Sequence, residues 1–389
     1  MTAPISGVPE RTARPAVRAQ SLAQGTVGAS LLSIEQARNG TGTWEAVHVQ
    51  LSAVTLHDLI ASDQAALFLG APAVAFVLQT AAAGTDRYRT ALRTLDTTVI
   101  SLTERRLDHA RARMKRGERP RPAEYDLLYG LTGLGAYLLR RAPHGDAVRN
   151  VLSYLVRLSE PLHDDGVHLP GWWTHLDPVG GSSFPGGHGN LGMAHGITGP
   201  LALLSLAHRH GVVVDGHAEA IERICTWLDT FRQDDGGAWW PQWVTLSEQR
   251  DRTVAQPGPM RPSWCYGTPG LARAQQLAGI ALGDTARQRM AEDALVDCLS
   301  DPAQLDQITD SGLCHGAAGL LHTAVRVAQD ARRHELTARL PRLRELLLAQ
   351  EPAGEEGLLR GSTGPELVAQ AAASGGIPAS GWDACLLLA

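Results

Sequence analysis

Apolar residues recur at three- and four-residue spacing through most of the chain, which is the pattern of amphipathic helices. Clear examples are the stretches AEAIERICTWLDTFR and AEDALVDCL. No persuasive alternation of apolar and polar positions, the pattern of a half-buried strand, interrupts these stretches. The sequence therefore predicts an all-α fold.

A short motif organises these helices into seven repeats, each with an apolar lead-in, a G-x-x-G element and a run of helix formers. The segments read SLAQGTVGASLLSIEQA, ALFLGAPAVAFVLQTA, LLYGLTGLGAYLLRRA, GMAHGITGPLALLSLAH, SWCYGTPGLARAQQLAG, GLCHGAAGLLHTAVRVA and GLLRGSTGPELVAQAAA. Their first glycines are Gly25, Gly70, Gly130, Gly196, Gly267, Gly316 and Gly361. The second repeat departs from the pattern, with Ala73 at the place of the second glycine.

Each interval between motifs has room for two helices and their loops. We expect the motif glycines to open a helix at points where backbones or ligands come close. Seven helical hairpins of this kind could close into an α/α toroid, with the motif helices inside and their partners outside. Periodicity alone fits an open solenoid equally well.

Three stretches interrupt the repeats. Residues 1–15 are rich in Ala, Pro and Arg and are expected to form a disordered tail before a single domain at 16–389. The basic segment 103–122 is either a solvated helix and loop or a docking surface for an acidic peptide. Residues 163–190 carry too much Gly, Pro and Trp for a helix, and we expect a long ordered loop there.

Two cysteines and a histidine fall into register when the repeats are aligned on their first glycines. Cys265 and Cys314 each stand two positions before that glycine in consecutive repeats, and His315 follows Cys314 directly. Two thiolates and an imidazole suit zinc, which in catalytic sites keeps a fourth position open. A single Cys-His pair at a buried helix start is usually only packing, but the shared register of two cysteines argues against that reading.

Other polar residues in the lead-ins are candidates for proton transfer or substrate binding. His195 has the register of His315, and either faces the same central space as a free imidazole or is merely buried. Asp126 lies four positions before Gly130 and either orients a histidine or caps the helix that follows. Arg261 could hold a substrate carbonyl or carboxylate, and a surface arginine is equally compatible with the sequence.

Composition excludes several classes of protein. The chain has 389 residues, a formal net charge of -5 and a pI near 6.3, so it lacks the basic footprint of a nucleic-acid binder. No apolar run approaches the ~20 residues that span a bilayer, and no secretory signal opens the chain. We therefore expect a cytoplasmic protein in which disulfides are absent, and we interpret three further cysteines, Cys225, Cys298 and Cys385, as ordinary buried thiols.

Three blocks carry a resemblance to a known family. GHGNLGMAHG (187–196), RPSWCYGTPG (261–270) and LCHGAAG (313–319) resemble the signature blocks of the LanC lanthipeptide cyclases, and the similarity extends from about residue 16 to 389. The resemblance implies a toroid of seven inner and seven outer helices, with zinc held by Cys265, Cys314 and His315. It further implies that His195 is the catalytic acid/base, with Asp126 as its carboxylate partner. Arg261 and Tyr266 fall where the family has other site residues.

The function implied by this resemblance is zinc-dependent cyclisation of a dehydrated precursor peptide. Cysteine thiols would add to dehydroalanine or dehydrobutyrine and form lanthionine or methyllanthionine rings. An alternative is a LanC-like zinc or thiol (glutathione) binding or adaptor protein without cyclase activity. A carbohydrate- or terpenoid-processing toroid is disfavoured, because the motif register contains no acidic pair.

The length of the chain adds an expectation about its partners. It leaves no room for a dehydratase domain, so we expect a stand-alone, class I type cyclase that depends on a separate dehydratase. By resemblance alone, an exporter and peripheral association with the inner face of the membrane are also expected.

Overall fold

The computed structural model describes residues 15–164, 167–177, 183–331, 333–351, 354–373 and 375–389. The expected tail thus lies outside the described residues up to residue 14, and Pro15 already belongs to the first helix. In chain order the helices are α1 (Pro15–Ala19), α2 (Thr26–Arg38), α3 (Trp44–Val54), α4 (Ala71–Ala82), α5 (Arg89–Lys115), α6 (Pro122–Tyr125), α7 (Leu131–Arg141), α8 (Asp146–Leu158), α9 (Thr198–Arg209), α10 (His217–Thr230), α11 (Leu246–Asp251), α12 (Thr268–Leu282), α13 (Thr285–Ser300), α14 (Pro302–Leu305), α15 (Ala317–Ala331), α16 (His334–Thr337), α17 (Leu340–Leu348) and α18 (Thr363–Ala373).

The seven motif helices form a closed inner ring. Each of α2, α4, α7, α9, α12, α15 and α18 contacts the next in chain order, and α18 contacts α2. The lead-ins are joined as well, since Leu359 N–H donates to Ala23 O at 3.1 Å and links the last repeat to the first. The predicted all-α toroid is confirmed, and the open solenoid is excluded.

The outer layer differs in one respect from the expected seven helices. In the described residues six inner helices are followed by an outer partner, namely α3, α5, α8, α10, α13 and α17. After α18 the chain instead forms a 3-10 helix at Trp382–Leu386, which contacts α4 and α7. This C-terminal segment packs against the inner ring because buried polar groups hold it there: Arg140 donates to Gly381 O at 2.9 Å, and Glu35 accepts from Ser380 N at 2.9 Å.

Close backbone packing explains why the motif requires glycine. A Cβ at Gly270 would collide with the backbone oxygen of Trp264, and one at Gly319 would collide with that of Leu313. The second glycine of the motif thus lets the first helical turn lie directly on its own lead-in. The first glycine of the fifth repeat, Gly267, has a φ of +130°, a region that side-chain-bearing residues rarely adopt. The expectation that glycine marks close approach is confirmed.

Four short strands, which the sequence pattern did not indicate, lie beside the ring. β1 (Leu162–Asp164) pairs with β2 (Val167–Leu169), and β3 (His188–Asn190) pairs with β4 (Trp243–Thr245), both antiparallel. Each strand has three residues, which is too short for alternation to be visible in the sequence. Residues 165–166 and 178–182 of the expected long loop lie outside the described residues. No helix of the described chain is long and apolar enough to cross a membrane.

Candidate metal centre and proton-transfer pair

Cys265, Cys314 and His315 come together at the rim where the inner helices begin. Their ligand atoms all lie within 4.8 Å of one another, and Cys265 Sγ is 4.0 Å from His315 Nδ1. Sulfur and nitrogen donors on a tetrahedral zinc ion stand about 3.5 to 3.8 Å apart. Small side-chain adjustments would therefore let the three residues bind one ion, and the donor set fits zinc.

Repeat geometry brings the two cysteines together. Each lies at the end of a lead-in, just before an inner helix, and Cys265 N–H donates to Cys314 O at 3.2 Å. Because the backbones of the two lead-ins are hydrogen-bonded, residues of equal register project side by side. Both cysteines are buried, with 8% of each residue exposed. The site is thus shielded on the protein side, and His315, of intermediate exposure, stands towards the opening.

The two thiols do not titrate alike. Hydrogen bonding to Cys314 and to His315 lowers the pKa of Cys265 well below its ordinary value, against the opposing effect of burial. The same hydrogen bond to Cys265, together with burial, raises the pKa of Cys314. The pair therefore gives up a first proton readily and a second one reluctantly. A divalent cation would compensate both sulfur charges at once.

A carboxylate that the sequence reasoning missed lies behind His315. Asp310 Oδ2 is 3.9 Å from His315 Nε2 and 3.6 Å from Arg261 Nη1, and its Oδ1 accepts from Gly312 N at 2.9 Å. Nδ1 of His315 faces Cys265 Sγ and Nε2 faces this carboxylate, at a distance longer than a hydrogen bond. A hydrogen bond from the second ring nitrogen to a carboxylate is common behind metal-binding histidines, and a small movement of either side chain would form one here. Asp310 stands six positions before Gly316, as Arg261 does before Gly267, so an extended register comparison could have found it.

His195 and Asp126 form a buried pair between two neighbouring lead-ins, those before α9 and α7. His195 Nδ1 lies 2.7 Å from Asp126 Oδ2, with 14% of the histidine side chain and 1% of the aspartate side chain exposed. Asp126 Oδ1 accepts from the backbone N–H groups of Tyr129 and Gly130 at 2.7 and 2.9 Å. Of the two alternatives for Asp126, the contact with a histidine is observed, whereas Asp126 does not cap α7: its other oxygen binds the turn before that helix, and the N-cap is Gly130, without a side-chain cap. A carboxylate only accepts, so Nδ1 carries the proton and Nε2 remains for proton transfer.

Aromatic and amide side chains complete the rim. The Tyr129 ring stacks on His195 with centroids 5.5 Å apart. Tyr266 is buried, and its hydroxyl accepts a hydrogen bond from Asn190 Nδ2 at 2.9 Å. Burial raises the pKa of Tyr266, so its hydroxyl keeps its proton at neutral pH and can donate a hydrogen bond. Asn190, at the end of β3, has the register of Arg261 and was also missed by the sequence reasoning.

The cysteine and histidine cluster and the pair of His195 and Asp126 lie on repeats that follow one another around the ring. Ala194 N–H donates to Cys265 O at 3.4 Å, so His195, Tyr266 and His315 follow lead-ins that are hydrogen-bonded in sequence around the rim. The predicted residues are thus gathered at one end of the ring, with Arg261 reaching it through Asp310. The remaining thiols, of Cys225, Cys298 and Cys385, are buried and free, and burial raises the pKa of each.

Comparison with known proteins agrees with this architecture. The model of the lanthionine synthetase C-like protein family matches residues 16–363. The nisin biosynthesis protein NisC of Lactococcus lactis subsp. lactis is 24% identical over 204 residues, which cover 51% of this chain and 48% of that protein. The matched region thus spans about half the length of this curated relative. The solved structure of a nisin cyclase superposes with a TM-score of 0.80 at 20% identity, covering 96% of this chain and 93% of that one, which shows a shared fold.

Proposed function

Since the chain belongs to the lanthionine synthetase C-like family, we propose that it is a zinc-dependent lanthipeptide cyclase. Its substrate would be a precursor peptide in which serines and threonines are already dehydrated. It would join cysteine thiols of that peptide to dehydroalanine or dehydrobutyrine and form lanthionine or methyllanthionine rings. A dehydration of serines and threonines must precede this reaction, because the reaction begins from the dehydrated residues.

The proposal depends on one observation: two groups of residues lie close together at one rim of the ring. One is the Cys265, Cys314 and His315 cluster, which suits zinc, and the other is the hydrogen-bonded pair of His195 and Asp126. A free thiol has a pKa of about 8.5 and is mostly protonated at neutral pH. Zinc bound by the cluster would supply the Lewis acidity that favours the thiolate of a substrate cysteine.

The proton-transfer pair accounts for the second half of the reaction. When the substrate thiolate adds to the β-carbon, a C–S bond forms and the π electron pair moves to the α-carbon as an enolate. That carbon must then take up a proton. His195 protonated at Nε2 is suited to donate it, with Asp126 holding Nδ1–H and stabilising the charged imidazolium before transfer.

Arg261 and Tyr266 are proposed as supporting residues. The guanidinium of Arg261 lies at the rim beside Asp310, where it could stabilise negative charge on the enolate oxygen. The protonated hydroxyl of Tyr266, positioned by Asn190, could donate a hydrogen bond to the same region.

A zinc or thiol-binding protein without catalysis is the alternative. Such a protein would need the metal-binding cluster but would have no use for a buried carboxylate that fixes one tautomer of a histidine. The pair of His195 and Asp126 therefore favours an enzyme.

Mass spectrometry of a dehydrated precursor peptide, with thiol alkylation, tests the proposal. Incubation with the protein should protect the cysteines from alkylation without changing the peptide mass, because addition of a thiol to an alkene loses no atoms. The His195→Asn variant should keep its zinc and form rings at least ~100-fold more slowly. Full alkylation after incubation with zinc-loaded wild-type protein would contradict the proposal.

A further inference from the structure

A basic groove lies next to the candidate active site, on the segment 103–122. It has a volume of about 520 Å³ and is lined by side chains of α5, of the loop after it, of α6 and of the loop before α4. Arg106, His109 and Arg113 face it from successive turns of α5, and Arg119 and Arg121 face it from the loop.

The charges of this groove are unbalanced. Each lining carboxylate is already paired: Glu124 with Arg113, Glu118 with Arg116 and Asp63 with Arg105. Among the described residues that line the groove, four arginines and His109 stand against three carboxylates, whereas the whole chain has a formal net charge of -5. The groove is thus a positive region on a protein that is acidic as a whole.

Arg106 illustrates the excess of positive charge. Within the described residues its guanidinium donates hydrogen bonds to the backbone oxygens of Asp63, Ala65 and Tyr129. Burial lowers the pKa of Arg106, although Asp63 and Asp126 act in the opposite direction. A partly desolvated cation whose hydrogen bonds all go to backbone oxygens would be stabilised further by an anion in the groove.

The groove is connected to the site by direct contacts. Arg106 binds the backbone oxygen of Tyr129, whose ring stacks on His195 at 5.5 Å between centroids. On the other side Arg119 donates to Gly186 O at 2.9 Å, two residues before β3, which carries Asn190 to the rim. A chain lying in the groove would therefore continue onto the face of His195.

From these contacts we infer that the groove binds an acidic segment of the peptide substrate and holds it while another part of the peptide reacts at the rim. The inference rests on the proposed function for the identity of the ligand. Carboxylates of an extended peptide can pair with arginines spaced along the groove, and the contact of Arg106 with Tyr129 places one end of the groove beside the residue that stacks on His195.

Binding of a fluorescein-labelled Glu/Ser peptide and of its Gln/Ser counterpart, followed by fluorescence anisotropy, tests the inference. Arg121 is exposed, and within the described residues its side chain makes no hydrogen bond or ion pair; its backbone oxygen accepts from Glu124 N, a bond that a substitution keeps, so Arg121→Glu should leave the fold intact. We expect Arg121→Glu to weaken binding of the Glu/Ser peptide about fivefold, and Arg121→Glu with His109→Glu to weaken it further. The Gln/Ser peptide should bind poorly to every form of the protein.

Arg93→Glu is the matched control, since it makes the same charge change at an exposed position of α5 away from the groove. It should leave peptide binding unchanged. Equal binding by the wild type and the double variant would overturn the inference. The inference would also be overturned if the double variant lost binding to phosphatidylglycerol vesicles but still bound the peptide, because the groove would then face a membrane.

A cyclisation assay separates this inference from the proposed function. On a dehydrated precursor, Arg121→Glu should raise KM and leave kcat unchanged. If the wild type forms rings and Arg121→Glu matches it in KM, the groove is not the docking site, although the protein remains a cyclase. If the wild type forms no rings, the proposed function fails whatever the groove binds.

Discussion

Replacing Asp383 tests how the C-terminal segment is held to the inner ring. Asp383 Oδ2 accepts from His322 Nε2 at 2.7 Å and from Arg326 Nε at 2.6 Å, both on α15. The side chains of Asp383, His322 and Arg326 are 0%, 1% and 11% exposed. The Asp383→Asn variant keeps the shape of the side chain and removes its charge.

The expected loss of stability follows from that burial. Removing one partner of a buried ion pair leaves the other charge uncompensated and typically costs about 3 to 5 kcal/mol. The charge left uncompensated is that of Arg326, because a guanidinium stays protonated. We therefore expect Asp383→Asn to lower the free energy of unfolding by about 3 kcal/mol, at the lower end of that range.

Urea denaturation at pH 7, followed by tryptophan fluorescence, measures this difference. Asp293→Asn is the control, because Asp293 is 51% exposed and pairs with Arg333, which is 26% exposed. An exposed pair of this kind contributes about 0 to 1 kcal/mol, so the control should unfold near the wild type. Equal stability of Asp383→Asn and Asp293→Asn would refute the reasoning.

The pH dependence should have a definite sign. Burial opposes ionisation of Asp383, but hydrogen bonds and charge from His322 and Arg326 outweigh it and hold the pKa of Asp383 below its ordinary value. The stabilisation is therefore fully present above the unfolded pKa of about 3.9 and is lost as pH falls below it. The Asp383→Asn variant should show a smaller loss of stability in that acidic range.

Two further substitutions test the site and the core. Asp126→Asn can still accept from the turn before α7, but an amide facing Nδ1 of His195 favours the wrong tautomer, so ring formation should fall at least ~100-fold in the alkylation assay with zinc retained. Burial lowers the pKa of His188 to about 4, so between pH 6.5 and 4 the unfolded chain binds a proton there that the folded chain does not. The free energy of unfolding should therefore fall by about 3 kcal/mol as pH falls through this range. Denaturation of His188→Leu at several pH values should not show this loss of stability. Loss of zinc from Asp126→Asn would contradict the first expectation. An unchanged pH profile of stability in His188→Leu would contradict the second.

The sequence predicted the inner helices and the clustering of Cys265, Cys314 and His315 because both follow from local geometry. Residues at the same distance from a motif glycine take the same place on the ring, so Cys265 and Cys314 could be placed together without coordinates. His195 shares the register of His315, one position nearer the glycine than the cysteines, and is placed at the same rim by the same reasoning. The hydrogen bond between Leu359 and Ala23, which closes the ring, depends on the summed rotation of seven repeats, and no single repeat encodes that sum.

The residues that sequence reasoning missed act across repeats. Asp310 and Asn190 lie far from Arg261 and Tyr266 along the chain and approach them only because the lead-ins stand side by side. The pairing of His195 with Asp126 was predicted through the family resemblance, because a lone carboxylate before a helix is equally compatible with a helix cap. The described residues contain no seventh outer helix, and the repeat spacing gave no signal of this, because Gly361 begins the last motif and no later motif bounds an interval.

Metal content and ring formation measured together on Cys314→Ala test the central claim most directly. Cys298→Ala is the control, because Cys298 is an equally buried thiol on α13, away from the rim. We expect purified wild type and Cys298→Ala to hold one zinc per chain and to protect the cysteines of a dehydrated precursor from alkylation. The Cys314→Ala variant should lose both properties, whereas rings formed at the wild-type rate by zinc-free Cys314→Ala would contradict the account.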